Sequence, residues 1–314
     1  MLHFFHKFAE QEIRTTTYGK KIHPAVQILM MALCMFVAWL PYFVYFYPGT
    51  SNEDTVIMLM EYNQIPSYIQ SMSAVQGEDI FITNHHPYIL TILFSWFVKS
   101  GQHFGDAALG VACYVLVQMM LLALVYAGGL YYMHACGVTR KRMIGTLLLF
   151  MFIPVFPMYA ICMLKDTFYA TFCLIFMLMM HYVARSKGQA FRNVWFTISF
   201  FFVACMMILT KVYAMYILLL VGAFYLIKYR QQFVQIIASV MLPVVLYKFV
   251  FCGMLLPALN VAPGGLQEAL SVPFQQTARY VTEYGDEVTA AEKKAINQIL
   301  PYKKLAKKYN PELS

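Results

Sequence analysis

Long apolar runs, separated by short loops rich in lysine and arginine, constrain this chain more than any other feature. The candidate spans are Ala25 to Phe46, Ala107 to Met133, Met143 to Ile161, Thr167 to Ala184, Val194 to Leu209, Val212 to Ile227 and Phe233 to Leu256. Most approach the roughly 20 apolar residues that a bilayer core demands. A soluble domain needs about a quarter of its residues charged; here 12% are charged, 61% hydrophobic and 17% aromatic. The expected fold is an all-α polytopic membrane protein of about seven transmembrane helices, with an interfacial helix in the first outer loop and a small outer C-terminal segment.

Charge sets the topology. The apolar stretch Pro87 to Val98 is far too short to span. If it does not, twelve basic residues in short loops share one face: Lys7, Arg14, Lys20, Lys21, Arg140, Lys141, Arg142, Arg185, Lys187, Arg192, Lys228 and Arg230. Were it to span, every basic loop from Arg140 onward would move outside, against the positive-inside rule. It is therefore expected to lie in the outer interface. The run Val194 to Ile227 is long for one span and short for two, and splitting it at Thr210-Lys211 keeps Lys228 and Arg230 cytoplasmic. One tilted span would instead carry the C-terminal segment inside.

Three regions follow. Residues 1–24 form a basic cytoplasmic N-terminus; no small-residue cleavage site follows it, which excludes a signal peptide. Residues 25–256 form the transmembrane domain, with the outer loop at 47–106. Residues 257–314 form an extracytoplasmic segment that ends without a further span, the layout expected of an incomplete domain. In that segment Pro263-Gly264-Gly265 reads as a turn, and Thr289 with Glu292 forms the T-x-x-E pattern of a capping box. Pro41, Pro154, Pro157 and Pro243 mark kinks in their spans.

The net charge of +8 is accounted for by cytoplasmic loops and a balanced tail, and nothing in it argues for a nucleic-acid groove. The seven cysteines lack CxxC spacing and read as apolar packing residues, with neither a disulfide framework nor a metal site.

Chemistry concentrates in the outer loop. Tyr47 to Asp106 carries six carboxylates against the single Lys99, and polar groups at a bilayer edge point to a site. Asp54 follows the first span after the Pro48-Gly49 turn, where a partly desolvated carboxylate can serve as general base on a hydroxyl. Glu53 is the neighbouring candidate, and a solvated acidic loop is the plainer alternative. Asp166, beside Lys165 at the mouth of the fourth span, falls on the same face. Two such acids can hold an acceptor, or a divalent metal such as Mg or Mn bound to phosphate oxygens. Equally, Asp166 suits a helix N-terminus and Lys165 a snorkelling position. Asn84, His85 and His86, before Pro87, can bond a phosphate or sugar, or simply cap an interfacial helix. Adjacent histidines point apart, which disfavours chelation of one metal. Lys211 at an outer turn pairs with a lipid phosphate or reaches headgroups.

The sequence Tyr47-Pro48-Gly49 followed by Glu53-Asp54-Thr55, then Asn84 to Pro87, then L-K-D-x-x-Y-A at Leu164 to Ala170, resembles GT-C type integral-membrane glycosyltransferases. More narrowly it is similar to a group of bacterial multi-span proteins that share an outer L-S-x-P-x-Q-Q-x-A-R segment, here Leu270 to Arg279. The resemblance implies transfer of a sugar, with inversion, from a polyprenyl-phosphate carrier to a glycan or lipid hydroxyl at the outer face of the bacterial cytoplasmic membrane. It implies Asp54 as base, Asp166 as a second acid, and Lys165, Lys211 or His86 as binders of the carrier phosphate. Members tend to have more spans, so the resemblance also implies a truncated version here. Two other classes compete: a transporter or flippase of a lipid-linked or small solute, and a non-catalytic membrane scaffold.

Overall fold

The computed structural model describes residues 23–67, 82–263 and 270–308. Helix α1 (Pro24–Tyr45) opens on a proline, whose missing N–H is no loss in a first turn. After it come strand β1 (Thr50–Ser51), α2 (Glu53–Tyr62), α3 (Tyr88–His103), α4 (Ala107–Ala135), α5 (Arg140–Phe152), α6 (Val155–Ala160), strand β2 (Cys162–Met163) and α7 (Lys165–Arg185). Then follow α8 (Val194–Thr210), α9 (Ala214–Lys228), α10 (Arg230–Ala258, with α and π turns), α11 (Ser271–Glu283), α12 (Ala290–Asn297) and α13 (Tyr302–Lys308). The protein is membrane-embedded and helical: α1, α4, α7 and α10 are long and apolar enough to cross a bilayer, while α8 and α9 are apolar but shorter. The stretch at Pro87 runs on as the 16-residue α3, and the Thr289–Glu292 capping box forms. The basic residues of 1–22, and Gly264 and Gly265, lie outside the described residues.

The segment Met143 to Ile161 is divided, and Pro154 is the cause. The carbonyl of Phe150, in the last turn of α5, would accept from the N–H four residues on, which is Pro154 and has none. The indole of Trp39 fills the gap, its Nε1 donating to Phe150 O at 2.9 Å. That proline ends α5, and beyond it the chain forms only the short α6 before turning into β2.

In a non-aqueous setting an irregular turn must find partners for its freed carbonyls, and here four successive ones are bonded from distant elements. Gln118, buried in α4, donates through Nε2 to Ala160 O and to Cys162 O, both at 2.8 Å. Its own oxygen accepts from the hydroxyl of Tyr114 at 2.7 Å. The Thr50 N–H reaches Ile161 O at 3.1 Å, and the Thr55 hydroxyl reaches Met163 O at 2.5 Å. Strands β1 and β2 pair in parallel, Thr50 opposite Cys162 and Ser51 opposite Met163. The approach is so close that only glycine fits before it. Gly49 has φ +127°, and a Cβ there would lie 2.9 Å from Ile161 O and 2.6 Å from the Val115 side chain.

Packing falls into two clusters. The first joins α1, α2, α3 and α4 through Met35, Trp39, Met58, Phe94 and Met119. The second joins α7 to α10 through Phe176, Phe200, Met207, Leu218 and Val240. Phe168, in the first turn of α7, packs against both. The loop before α3 is tied to the chain after α10, with Asn84 N donating to Ala262 O at 2.7 Å and Ala262 N to Ile82 O at 3.0 Å.

Gln118→Leu takes the donor from one buried and one partly buried carbonyl and is expected to cost roughly 2–6 kcal/mol, at about 1–3 kcal/mol per orphaned group. Thermal unfolding in detergent would read this, and an unchanged melting temperature would rule out the buried amide as the support of the turn.

Candidate functional site

Helix α2 begins at Glu53 because Asn52 caps it, its Oδ1 accepting from Thr55 N at 3.0 Å. Asp54 therefore sits in the first turn. Lys165 is the first residue of α7, delivered by the β2 turn. Its ammonium donates to Asp54 Oδ2 and to His86 Nδ1, each at 2.9 Å. The pair is partly shielded, the lysine side chain 19% exposed and the aspartate 35%. Burial raises the Asp54 carboxyl, but the hydrogen bond and charge of Lys165 outweigh it and leave the group below the usual carboxylate range. Asp54 is thus ionised at neutral pH.

The same ammonium decides the state of His86. An Nδ1 that faces a donor must present its lone pair, so the ring proton is on Nε2 and the imidazole is neutral. Burial, then the charges of Lys165 and His85, push its pKa down to about 3. His86 is 1% exposed, and its Nε2 finds no partner among the described residues.

A second ion pair stands beside the first. Lys211, in the turn between α8 and α9, pairs with Asp166 Oδ1, and its ammonium lies 5.7 Å from the centre of the Tyr169 ring.

Lys165, Lys211, Asn84 and His85 all line one cavity of about 510 Å³. Asp54 and His86 bond Lys165, and Asp166 bonds Lys211, without being among the residues that line the cavity. Glu53 is exposed in the first turn of α2 and makes no hydrogen bond or ion pair among the described residues. No three His, Cys, Asp or Glu side chains come together as a metal site among the described residues. What the arrangement can do is hold an anion: two lysines face the cavity, and each currently satisfies a carboxylate that a phosphate oxygen can replace.

Two residues escaped the sequence reading. Glu61 is fully buried at the end of α2, where its Oε1 accepts from the Thr83 hydroxyl at 2.7 Å. Its Oε2 has no partner among the described residues, and burial raises its pKa to about 7. The available signal was its place seven residues after Asp54, two turns along one helix face. Lys248 lines the same cavity from α10. Its signal was a lone cation inside an apolar span, which by itself marks a functional position.

The family model of DUF6020, a family of unknown function, matches residues 9–314, and the chain belongs to that family. No curated protein and no solved structure matches it.

Glu61 keeps in the folded protein a proton that the unfolded chain releases above about pH 4.5. Its contribution to stability is complete below that pH and is lost as pH rises through about 7. Glu61→Gln, which cannot ionise, should therefore gain stability relative to the parent as pH is raised from about 5 to 8. The readout is the difference in melting temperature in detergent, and a difference independent of pH would show that Glu61 is ionised in the native state.

Proposed function

We propose that this DUF6020 member transfers a sugar from a polyprenyl-phosphate carrier to a hydroxyl of a glycan or lipid acceptor. The reaction is set at the outer face of the bacterial cytoplasmic membrane. The observation that carries the reading is Lys165, which bonds Asp54 and His86 while facing a cavity shared with Lys211. A base and a phosphate-binding cation are thereby joined in one contact.

In the proposed reaction the acceptor oxygen attacks the anomeric carbon, and its proton passes to Asp54. The carbon–oxygen bond to the carrier phosphate breaks on the opposite side, which inverts the anomeric centre. The phosphate departs with the bonding electron pair and is held by Lys165 and Lys211. Lys165 makes Asp54 a weak base at rest, since it lowers the carboxyl. A phosphate that draws Lys165 toward the cavity lifts that restraint, so the base strengthens when the donor is bound. Neutral His86 accepts from Lys165 and keeps its ammonium aimed between the two. Asn84 and His85, on the cavity wall, are the proposed contacts for the sugar. Glu53, exposed beside Asp54, is the proposed contact on the acceptor side, and Asp166 sets the position of Lys211.

The proposed topology has seven crossings, with α5 and α6 together, α8 and α9 completing the four long spans. The N-terminus is cytoplasmic, α2 and α3 lie at the outer interface, and the C-terminal segment is extracytoplasmic. A second reading, the flipping of a lipid-linked solute, draws on the lysine that the cavity shares with the interior of α10. Movement of the carrier in liposomes without any glycosylated product would favour it.

Asp54→Asn should lower transfer by about 10²–10⁴, the scale of general-base catalysis, with insertion and melting temperature unchanged. The assay is transfer of a labelled sugar from a polyprenyl-phosphate donor by the protein in nanodiscs. Unimpaired transfer by Asp54→Asn would remove that residue from the catalytic role.

A further inference from the structure

Lys248 stands well inside α10. It lies ten residues before Ala258, where that helix ends. Its neighbours Val245, Phe249 and Val250 are exposed apolar residues of a membrane-spanning helix. A cation among them is unfavourable unless something at that depth uses it. No ion pair to Lys248 forms among the described residues. The local backbone is also unusual, with π-helical winding from Leu246 to Leu255, a departure that gathers at functional positions.

The placement of Lys248 supplies the use. Lys248, Cys252 and Leu256, four residues apart in turn, line the cavity that Lys165 and Lys211 line from the other side. Facing them are Tyr213 and Tyr216, at and just inside the start of α9, each lining the same cavity and 56% exposed. Exposed residues of α9 and α10 thus form part of the cavity wall. Its cations are Lys165 and Lys211 at helix ends and Lys248 within α10. An amphiphile can bring a phosphate to these three lysines while its apolar chain stays against the exposed apolar residues beside Lys248.

We propose that Lys248 is an anion-binding residue that admits a phosphate-bearing amphiphile from the bilayer, between α9 and α10. The phosphate is bound by Lys248 together with Lys165 and Lys211, and the apolar tail remains against the lipid-facing sides of the two helices. The alternative use of such a lysine is to extend its stem and reach the headgroup region, touching no ligand. This inference rests on the cavity as the carrier-phosphate site of the proposed transferase.

The test is equilibrium binding of labelled decaprenyl phosphate, which carries no sugar, to the full chain in nanodiscs. Lys248→Met should weaken binding by about tenfold or more, the scale of one charge-assisted hydrogen bond, while Lys248→Arg restores most of it. Loss of a lone intramembrane charge favours insertion, and a melting temperature for Lys248→Met at or above the parent's identifies the loss as one of binding. Inorganic phosphate should displace the lipid only at far higher concentration, because it lacks the tail. Parental affinity in Lys248→Met overturns the proposal and leaves Lys248 a snorkelling residue. Displacement by inorganic phosphate at concentrations matching the lipid overturns entry from the bilayer. The two readings fail separately: weakened binding in Lys248→Met alongside normal transfer by Asp54→Asn keeps this site and removes Asp54 as the base. Normal binding in Lys248→Met with an inactive Asp54→Asn does the reverse.

Discussion

A chain that abandons helical hydrogen bonding among apolar neighbours must bond every carbonyl it frees, and the stretch from Pro154 to Leu164 obeys this constraint by borrowing donors from elsewhere. Gln118 serves Ala160 and Cys162, Thr50 serves Ile161, and Thr55 serves Met163. Because these donors belong to α4, β1 and the first turn of α2, the break is stable only once those elements surround it. The reverse dependence holds as well. Strand β1 has a partner only because β2 is irregular, and the start of α2 is fixed against the start of α7. That is why Asp54 and Lys165, far apart in the chain, meet at 2.9 Å.

The electrostatics of the site follow from this meeting. One helix, α2, carries two carboxyl groups in opposed conditions: Asp54 beside an ammonium and held below the usual range, Glu61 wholly buried and raised to about 7. Separation of two such groups by environment is a means by which one fold assigns acid and base roles. Each of the aspartates Asp54 and Asp166 is matched by a lysine that also faces the cavity. Partly buried pairs of this kind gain little net stability, since desolvation offsets much of their attraction. They are therefore readily exchanged for a ligand that offers equal charge. The two pairs are each near neutral, and they become cationic toward the cavity as soon as the carboxylates are engaged elsewhere.

Much of the helical frame was legible along the chain because apolarity is a property of consecutive residues. The expected spans Ala25 to Phe46, Ala107 to Met133 and Val194 to Leu209 end within two residues of α1, α4 and α8, and the Thr289 capping box closes as its spacing requires. The apolar stretch after Pro87 was legible as a short helix, though it continues to His103. In the third apolar segment Pro154 and Pro157 promised a kink, and the structure has a break. The difference lies in Trp39 and Gln118, whose bonds to Phe150 and to Ala160 span 111 and 42 residues and make the interrupted backbone tolerable.

The same division runs through the site. Residue type and position along the chain were enough to single out Asp54, Asp166, the Asn84-His85-His86 cluster, Lys165 and Lys211, because polar groups at the ends of apolar runs are conspicuous one residue at a time. Which lysine holds which aspartate, the neutral tautomer of His86, the burial of Glu61 and the turn of Lys248 toward a cavity were decided by tertiary structure alone. Each depends on the distance and solvation of groups brought together from separate helices. Hydrophobic length is written locally, whereas the partner of a hydrogen bond or a charge is settled only when the helices close around it.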